Sequence, residues 1–247
     1  MKRLVMATQN LNTWRGIALV CGAGGIGTAF ASVLRQRCPL LTVLTTSRRG
    51  RPEHDLRLDL ESDDDLENLS TTLLKLSQPL RLVINCSGRL HGPELQPEKR
   101  LRQVERRQLM KQFSINSAAP VLLARAIEPL IRSDQPFHFA SLSARVGSIG
   151  DNCSGGWYSY RAAKAAQNQL LKCLSIEWSR RWPKATVTLL HPGTTDTDLS
   201  RPFQAFVPSE QLFTTDQAAD RLLTVLLTQT PEQSGAFLAW DGQPIDW

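Results

Sequence analysis

The sequence is poor in cysteine, and the few cysteines it has are not arranged for metal binding. They are odd in number and form no Cys-x-x-Cys pair: Cys21, Cys38, Cys86, Cys153 and Cys173. Such a pattern argues against a disulfide framework and against a metal site. It is typical of a reducing compartment, so we expect a cytoplasmic location and no bound metal.

Long hydrophobic runs and long polar tracts are also missing. No apolar run approaches the length of a membrane span, and residues 1–10 combine two positive charges with an apolar run too short for a signal peptide. With 41% hydrophobic and 21% charged residues, the composition is that of a folded protein. We expect one domain over residues 1–247, with an N-terminal extension at 1–14 and no membrane partner.

An excess of acidic residues is absent as well, since the formal net charge is +6. A positive charge can indicate nucleic acid, a membrane surface or an anionic small molecule. The densest basic run, residues 99–107, is interrupted by Leu101, Val104 and Glu105, which is typical of the solvated face of a helix. We therefore predict no nucleic-acid partner.

Buried-strand patterns alternate with helical patterns along the chain, without an internal repeat or a linker. The predicted strands are residues 17–21, 41–46, 56–60, 80–85, 136–140, 185–190 and 235–240. The predicted helices are residues 28–34, 62–76 with Ser62 as N-cap, 103–131, a helix from about 156 through Trp178, and 215–227. The fold class is therefore α/β, a Rossmann-type doubly wound parallel sheet with helices on both faces.

A glycine-rich turn follows the first predicted strand and precedes the first predicted helix. It contains Gly22, Gly24, Gly25, Ile26 and Gly27. Glycines in this context allow a tight turn and let a pyrophosphate lie against the amides of the helix N-terminus. The turn predicts a dinucleotide-binding site, and the alternative is a glycine-rich loop of an unrelated α/β protein.

The end of the second predicted strand indicates which dinucleotide binds. A carboxylate about twenty residues past the glycines would hold the ribose 2′-hydroxyl of NAD. Here the sequence has Ser47, followed by Arg48 and Arg49. Cations and a hydroxyl suit a 2′-phosphate, so NADP(H) is preferred over NAD(H), unless the two arginines are an ordinary solvated loop.

Tyr160 and Lys164 lie four residues apart in a predicted helix, so their side chains share one face. Tyr158 has Ala162 at the same spacing and lacks a cation. A neighbouring ammonium favours the phenolate, so we expect the pKa of Tyr160 to lie below its usual value of about 10, within reach of acid–base work. The alternative is a half-buried ring beside a solvated charge.

Pro120 interrupts the predicted helix of residues 103–131. Because proline has no N–H, the main-chain oxygen of Asn116 loses its helical partner, and we expect a kink there and a carbonyl free to hold a water. Leu109, Phe113, Asn116, Pro120 and Leu123 would share one face. Residues 198–213 lack a sustained period and contain two prolines, which predicts a loop or broken helix that could act as a substrate lid.

These features and their order resemble the short-chain dehydrogenase/reductase family from about residue 15 to residue 247. The shared order is a glycine turn after the first strand, Asn85-Cys86-Ser87-Gly88, Asn116 within a helix, a serine after the fifth strand, Tyr160-x-x-x-Lys164, and Pro192-Gly193 followed by threonines. Segments 146–152, 155–161, 191–199 and 239–242 resemble the C-factor-like subgroup of that family.

The resemblance implies four catalytic residues: Asn116, Ser143, Tyr160 and Lys164. Tyr160 would protonate the carbonyl oxygen or act as base in reverse, and Lys164 would lower its pKa and bind the nicotinamide ribose. Ser143 would hold the substrate carbonyl, and Asn116 would anchor a water that links Lys164 to solvent. The wider cofactor site would include, besides the glycine turn, Ser47, Arg48, Arg49, Asp59, Leu60, Asn85, Ser87, Gly88, Tyr160, Lys164, Pro192, Gly193, Thr195 and Thr197.

Three features depart from the family pattern. Asn85-Cys86-Ser87-Gly88 changes two positions of the common Asn-Asn-Ala-Gly, small for small, and two departures concern spacing. Only two residues separate Gly22 from Gly25, where the family usually has three, and the longer serine-to-tyrosine spacing leaves Ser141 as a rival of Ser143. The sequence predicts an NADP(H)-dependent oxidoreductase that moves hydride between the nicotinamide and a small carbonyl or alcohol substrate. The resemblance adds a homo-oligomer, dimer or tetramer. The alternative function is a dinucleotide-binding signalling or redox-sensing protein with little turnover.

Overall fold

The structure, a computed structural model, describes residues 13–22 and 24–247. Its strands are β1 (Gly16–Cys21), β2 (Leu41–Ser47), β3 (Leu56–Arg57), β4 (Leu80–Asn85), β5 (Phe137–Leu142), β6 (Ala185–His191), β7 (Thr194–Thr195), β8 (Leu212–Phe213) and β9 (Ala236–Ala239). Its α-helices are α1 (Gly25–Arg37), α2 (Asp63–Leu74), α3 (Arg106–Phe113), α4 (Ala119–Ile127), α5 (Tyr158–Arg181) and α6 (Thr215–Thr228).

Seven strands form one parallel sheet in the order β3-β2-β1-β4-β5-β6-β9. The order reverses between β1 and β4, and ligands of such sheets bind in the crevice outside the strand ends at this switch point. The glycine turn after β1 and the loop after β4 both lie there. The predicted doubly wound parallel sheet is confirmed.

Helices cover both faces of the sheet. Successive residues of a strand point to opposite faces, so each strand contributes side chains to both layers of the core. In β4, Val83 belongs to the core that contains α2, α4 and α5, whereas Ile84 belongs to the core that contains α1 and α6. Both residues are fully buried. The continuous apolar runs of the sequence are therefore strands that are buried on both faces.

The helix predicted after β3 begins where expected, since the hydroxyl of Ser62 accepts a hydrogen bond from the backbone N–H of Asp65 at 3.2 Å. The predicted strand over residues 56–60 was too long, because pairing ends at Arg57. Beyond it, the N–H of Asp59 donates to the carboxylate of Asp65 at 2.8 Å, so a side chain of α2 replaces a strand partner.

The single helix predicted over residues 103–131 is wrong. Helix α3 is followed by a π-helical turn, Ser114–Ala118, then by α4 and a 3-10 turn, Glu128–Leu130. The N–H of Ala119 bonds the carbonyl of Ser114, five residues back. The irregularity expected before Pro120 thus takes the form of a wide turn, which is typical of functional sites.

The π turn also shifts the buried face of this segment. Phe113, predicted to share one face with Asn116, is 43% exposed, whereas Gln112 and Asn116 are buried. The prediction that residues 99–107 form a helix face is wrong in part: Leu101–Gln103 is a 3-10 turn, and only Arg106 and Arg107 belong to α3. The basic side chains of this run are exposed.

Most of the predicted N-terminal extension lies outside the described residues. Within them, Trp14 is buried beneath the guanidinium of Arg81, 4.6 Å from the centre of the ring. No helix in the described part of the chain is long and apolar enough to cross a membrane.

Candidate active site

At two positions of the glycine turn, an added Cβ atom would collide with backbone atoms. Gly22 has a φ of +95°, and a Cβ atom there would lie 2.9 Å from the backbone nitrogen of Ser87. A Cβ on Gly27 would lie 2.0 Å from the carbonyl oxygen of Gly22. At Gly24, by contrast, no described atom lies within 4 Å of an added Cβ. The turn is therefore tight on its inner side and open on its outer side.

Helix α1 begins at Gly25 directly behind this open position. No described side chain caps its N-terminus, and its first turn carries no acidic residue. The first N–H groups of a helix have no intrahelical partner and attract anions. The residues present thus fit a dinucleotide, with its pyrophosphate against the start of α1.

A cleft of about 450 Å³, here called the nucleotide cleft, opens beside the turn. Predicted cofactor residues that line it are Gly22, Gly24, Ser47, Arg48, Arg49, Asp59, Leu60, Ser87 and Gly88. Its other lining residues are Thr46, Arg51, Leu58, Glu61, Cys86, Arg89, Ile115 and Ala119. Nine of the nineteen predicted cofactor residues thus lie on one surface.

Three arginines lie where β2 meets the nucleotide cleft. Ser47 is buried, and its hydroxyl accepts the backbone N–H of Arg51 at 2.9 Å. Arg48, Arg49 and Arg51 line the cleft with exposed side chains. Three cations beside a buried hydroxyl make this end of the cleft suited to an additional phosphate.

A second cavity of about 380 Å³, here called the reaction cavity, shares Cys86, Ser87 and Gly88 with the nucleotide cleft. Predicted site residues that line it are Ile26, Ser87, Gly88, Ser143, Tyr160, Lys164, Pro192, Gly193, Thr195 and Thr197. Three of the four predicted catalytic residues therefore face one cavity that adjoins the nucleotide cleft.

Helix α5 carries Tyr160 and Lys164 on one face, as their spacing predicts. Tyr160 is 6% exposed and Lys164 is 2% exposed, whereas Tyr158 is 40% exposed. The ammonium nitrogen of Lys164 lies 5.9 Å from the centre of the Tyr160 ring. It donates hydrogen bonds to the carbonyl oxygen of Leu142 at 3.0 Å and to Oε1 of Gln167 at 2.9 Å.

Burial controls the proton affinity of both side chains. It raises the pKa of Tyr160 well above its ordinary value and lowers the pKa of Lys164 to about 7, because each charged form loses its water. The expected lowering of the Tyr160 pKa is therefore wrong. Desolvation outweighs the nearby ammonium, and Tyr160 is a phenol at neutral pH.

The two candidate serines after β5 differ in what their hydroxyls contact. Ser143 lines the reaction cavity, and its Oγ donates to Oδ1 of Asn168 at 2.6 Å. Ser141 is fully buried, and its Oγ accepts hydrogen bonds from Asn85 at 2.9 Å and from Gln167 at 2.8 Å. Only Ser143 of the two reaches the cavity.

Some predicted site residues do not line either cavity: Gly25, Gly27, Asn85 and Asn116. Asn85 accepts hydrogen bonds from the backbone N–H and the hydroxyl of Ser87. Asn116 accepts the N–H of Arg89 and donates to its carbonyl oxygen, both at 2.9 Å. The two asparagines thus hold the loop after β4, which separates the two cavities.

The turn after β6 needs its glycine. Gly193 has a φ of +75°, and an added Cβ would lie 2.6 Å from the ring of Phe213 and 3.0 Å from that of Trp240. The guanidinium of Arg221 stacks over both rings, at 4.2 and 4.4 Å. This stack packs against Gly193, which lines the reaction cavity.

The predicted lid segment, residues 198–213, contains the 3-10 turns Arg201–Phe206 and Ser209–Gln211 and then β8. Leu199, Ser200, Phe203 and Val207 line the reaction cavity. His91 contacts this segment twice, through Nε2 at 3.1 Å from the carbonyl oxygen of Asp198 and through its ring, 5.8 Å from that of Phe203. The predicted irregular structure is confirmed, and its movement stays a prediction.

Sequence reasoning missed several residues of the site. Gln167 and Asn168 follow Lys164 by three and four residues, so helical spacing alone could have indicated them. Trp157 lines the reaction cavity and directly precedes α5. His191 lines it as well, and burial lowers its pKa to about 4, so it is neutral at pH 7.

Comparisons with known proteins agree with this geometry. A family model described as short chain dehydrogenase matches residues 16–207. The chain is 32% identical over 191 residues to 1-hydroxy-2-glutathionyl-2-methyl-3-butene dehydrogenase of Rhodococcus sp. (strain AD45), covering 77% of this chain and 78% of that protein. It is 31% identical over 148 residues to C-signal of Myxococcus xanthus, covering 60% and 83%.

A solved structure of similar fold is an NADPH-bound carbonyl reductase from chicken fatty liver. It has a TM-score of 0.80 and 25% sequence identity, and the alignment covers 94% of this chain and 99% of that one. The family match spans more than half of the chain and includes the glycine turn, Tyr160 and Lys164. The chain therefore belongs to the short-chain dehydrogenase/reductase family, with C-factor-like relatives, and is an NAD(P)-dependent oxidoreductase.

Proposed function

We propose that this protein reduces a carbonyl compound with NADPH, and that Tyr160 supplies the proton. One observation carries the proposal: Ser143, Tyr160 and Lys164 line a single cavity that shares Cys86, Ser87 and Gly88 with the nucleotide cleft. The chicken relative is a carbonyl reductase and the Rhodococcus relative a dehydrogenase of a hydroxy compound. Both names describe interconversion of a carbonyl group and an alcohol.

The nucleotide would lie along the cleft, with its pyrophosphate at the start of α1. Arg48 and Arg49 beside Ser47 favour NADP(H) over NAD(H), because a 2′-phosphate gains charge-assisted hydrogen bonds there. Asp59 and Leu60 would contact the adenine side, and Thr195 and Thr197 are the candidates for the nicotinamide side. When bound, the reduced nicotinamide supplies the hydride.

Tyr160 suits the role of general acid because burial raises its pKa, so the hydroxyl keeps its proton at neutral pH. Its proton goes to the substrate oxygen as hydride arrives at the substrate carbon, and the product is the alcohol. Ser143 would orient the carbonyl through its hydroxyl, which now donates to Asn168. Lys164, with a pKa of about 7, can return a proton to Tyr160.

Five further expectations belong to this proposal. Asn116 would anchor the water that leads from Lys164 to solvent, residues 198–213 would close over the substrate, and residues 1–247 would act as one domain. The five free cysteines suit a reducing, cytoplasmic location. A homo-oligomer stays an expectation from the family resemblance.

Nucleotide titration followed by fluorescence tests the first half of the proposal. We expect NADPH to bind more tightly than NADH, and failure of both to bind would overturn the enzyme function. Binding of NADPH without oxidation across a panel of ketones and aldehydes would instead favour the signalling or redox-sensing alternative.

A pair of tyrosine variants tests the second half. Tyr160→Phe removes the proton donor, and we expect a loss of turnover of about 10²–10⁴-fold with NADPH affinity retained. Tyr158→Phe is the matched control, since that tyrosine is 40% exposed and lies two residues away on the same helix. Full activity of Tyr160→Phe would show that another group protonates the substrate.

A further inference from the structure

Glu98 is a buried carboxylate that contacts the start of helix α5. It lies in the loop between β4 and α3 and is 2% exposed. Its two carboxylate oxygens accept hydrogen bonds from Ser159, one from the hydroxyl and one from the backbone N–H at 3.2 Å. Its own carbonyl oxygen accepts the N–H of Trp157 at 2.5 Å. One residue thus fixes both sides of the junction where α5 begins.

The backbone at this junction has an unusual conformation. Trp157 has a φ of +49°, and it alone among the described non-glycine residues has a positive φ. It follows Gly155 and Gly156, whose φ angles are +62° and +66°. Large L-residues avoid this region, and they adopt it where surrounding contacts impose it. The hydrogen bonds of Glu98 on either side of Trp157 are such contacts.

The conformation directs the indole ring of Trp157 toward the site. Its ring lies 4.8 Å from that of Phe203 and 6.3 Å from that of Tyr160, both edge to face. All three side chains line the reaction cavity. The proposed proton donor on α5 and the 198–213 segment therefore meet at one indole ring.

We propose that Glu98 is a positioning residue that holds Trp157 in place, and that Trp157 sets substrate selectivity as an aromatic wall of the reaction cavity. The inference rests on the proposed carbonyl reduction and names its substrate class. Carbonyl compounds with an aromatic ring gain an edge-to-face or stacked contact with Trp157 and Phe203, whereas short aliphatic ketones do not. Leu90, Val146 and Leu199 also line the reaction cavity and add apolar surface to it.

Kinetics with two ketones, acetophenone and butanone, test this assignment. In the wild type we expect acetophenone to have the higher kcat/KM. Trp157→Gly keeps a residue that adopts positive φ freely and removes the ring, so it should lower kcat/KM for acetophenone about tenfold, mainly through KM, with little change for butanone. Glu98→Ala should produce the same selective loss. NADPH affinity should be unchanged in both variants.

The double variant and a matched control separate positioning from general destabilisation. In the Trp157→Gly background, Glu98→Ala should cause no further change in the acetophenone-to-butanone ratio, because its effect passes through the absent ring. Glu94→Gln, at an exposed glutamate in the same loop that pairs with Arg107 at 2.7 Å, should behave as wild type. An equal loss for both ketones in Glu98→Ala, or an additive loss in the double variant, would overturn the proposal.

Hydrogen exchange keeps this test independent of activity. Glu98→Ala removes the carboxylate that accepts the N–H of Ser159, so it should speed amide exchange at Ser159 relative to Glu94→Gln. The bond from the N–H of Trp157 to the main-chain carbonyl of residue 98 remains. Unchanged exchange would overturn the positioning role whether or not the enzyme is active. If the wild type reduces neither ketone, the carbonyl reduction itself is wrong for these substrates, and so is the substrate class inferred from Trp157.

Discussion

The ammonium of Lys164 is hydrogen-bonded to the amide oxygen of Gln167, one turn further along α5, at 2.9 Å. Gln167 is fully buried, and its own amide nitrogen donates to Ser141 and to the carbonyl oxygen of Leu142. The glutamine therefore cannot turn away without leaving buried groups unpaired. It holds the lysine nitrogen at the wall of the reaction cavity.

Gln167 should set the pH at which activity falls on the alkaline side. Its oxygen stabilises the charged form of Lys164, whose pKa burial lowers to about 7. Gln167→Leu should lower that pKa further, by about one to two units for one lost hydrogen bond to a charged group. If turnover needs the ammonium, the alkaline limb of kcat/KM moves to lower pH.

Gln167→Glu should shift the pKa of Lys164 in the opposite direction, upward. A carboxylate at this position favours the ammonium, so the alkaline limb should move to higher pH. Profiles of kcat/KM from pH 5.5 to 9 report the groups of the free enzyme. A limb that stays in place in both variants would show that Lys164 does not limit the profile.

Nucleotide preference should depend on Arg48 and Arg49. Replacing both by alanine removes two cations from the cleft beside Ser47, and we expect the KM for NADPH to rise about tenfold or more with little change for NADH. The preference of the wild type should also shrink with added salt, since both side chains are exposed. Steady-state kinetics with both nucleotides measure this.

Arg100 and Arg102 supply a control for that experiment. Both are exposed, and both lie outside the lining of the nucleotide cleft. Their double alanine variant changes the net charge by the same amount and should keep the preference for NADPH. If the variant lacking Arg48 and Arg49 binds NADPH and NADH equally more weakly, these arginines contact parts that both nucleotides share.

The sequence predicted what depends on neighbours along the chain. The i, i+4 spacing of Tyr160 and Lys164 suffices to place both on one face of α5, and Ser62 caps α2 because its hydroxyl reaches the N–H three residues on. The other strands of the main sheet followed from short, largely apolar runs, whereas the alternating run over residues 56–60 predicted a strand that is too long. Local patterns therefore indicate where most of these elements lie.

Properties that depend on distant segments were not predictable in the same way. Glu98 and Ser159 are 61 positions apart, so no periodicity connects them. The pKa of Tyr160 follows from how completely the assembled fold excludes water, which outweighed the local effect of Lys164. The regular pattern puts Phe113 on one face with Pro120 and Leu123, but a π turn lies between them and inserts one residue, which a 3.6-residue pattern cannot reveal.

Stability should fall on mild acidification because of His138. This side chain is 1% exposed, its Nε2 lies 3.0 Å from the hydroxyl oxygen of Thr188, and burial lowers its pKa to about 4. The unfolded chain binds a proton near pH 6.5 and the folded chain only near pH 4. The contribution of His138 to the free energy of unfolding is therefore constant above pH 6.5 and decreases as pH falls toward 4.

Urea unfolding across this range tests the assignment. His138 should contribute a slope of up to about 1.4 kcal/mol per pH unit between pH 4 and 6.5, on top of that from His191. His138→Gln should reduce the slope in that interval and leave the dependence from pH 7 to 8.5 unchanged. An unchanged slope below pH 6.5 would mean that His138 already carries its proton in the folded protein.

Alanine should destabilise the fold at one glycine of the turn, Gly27, and leave its stability unchanged at another, Gly24. A Cβ at Gly27 would lie 2.0 Å from the carbonyl oxygen of Gly22, so Gly27→Ala should lower the free energy of unfolding by about 1–3 kcal/mol or more, although alanine favours helices. At Gly24, with φ at −76° and open space around an added Cβ, Gly24→Ala should fold normally.

NADPH binding then distinguishes the role of Gly24, the open position, from that of Gly27, the tight one. If the pyrophosphate lies against the start of α1, the methyl group of Gly24→Ala projects into its space, and NADPH affinity should fall while stability is retained. Urea unfolding and fluorescence titration on the same samples measure both quantities. Normal NADPH affinity in Gly24→Ala would place the pyrophosphate away from this turn, and normal stability in Gly27→Ala would show that the backbone around Gly22 can move.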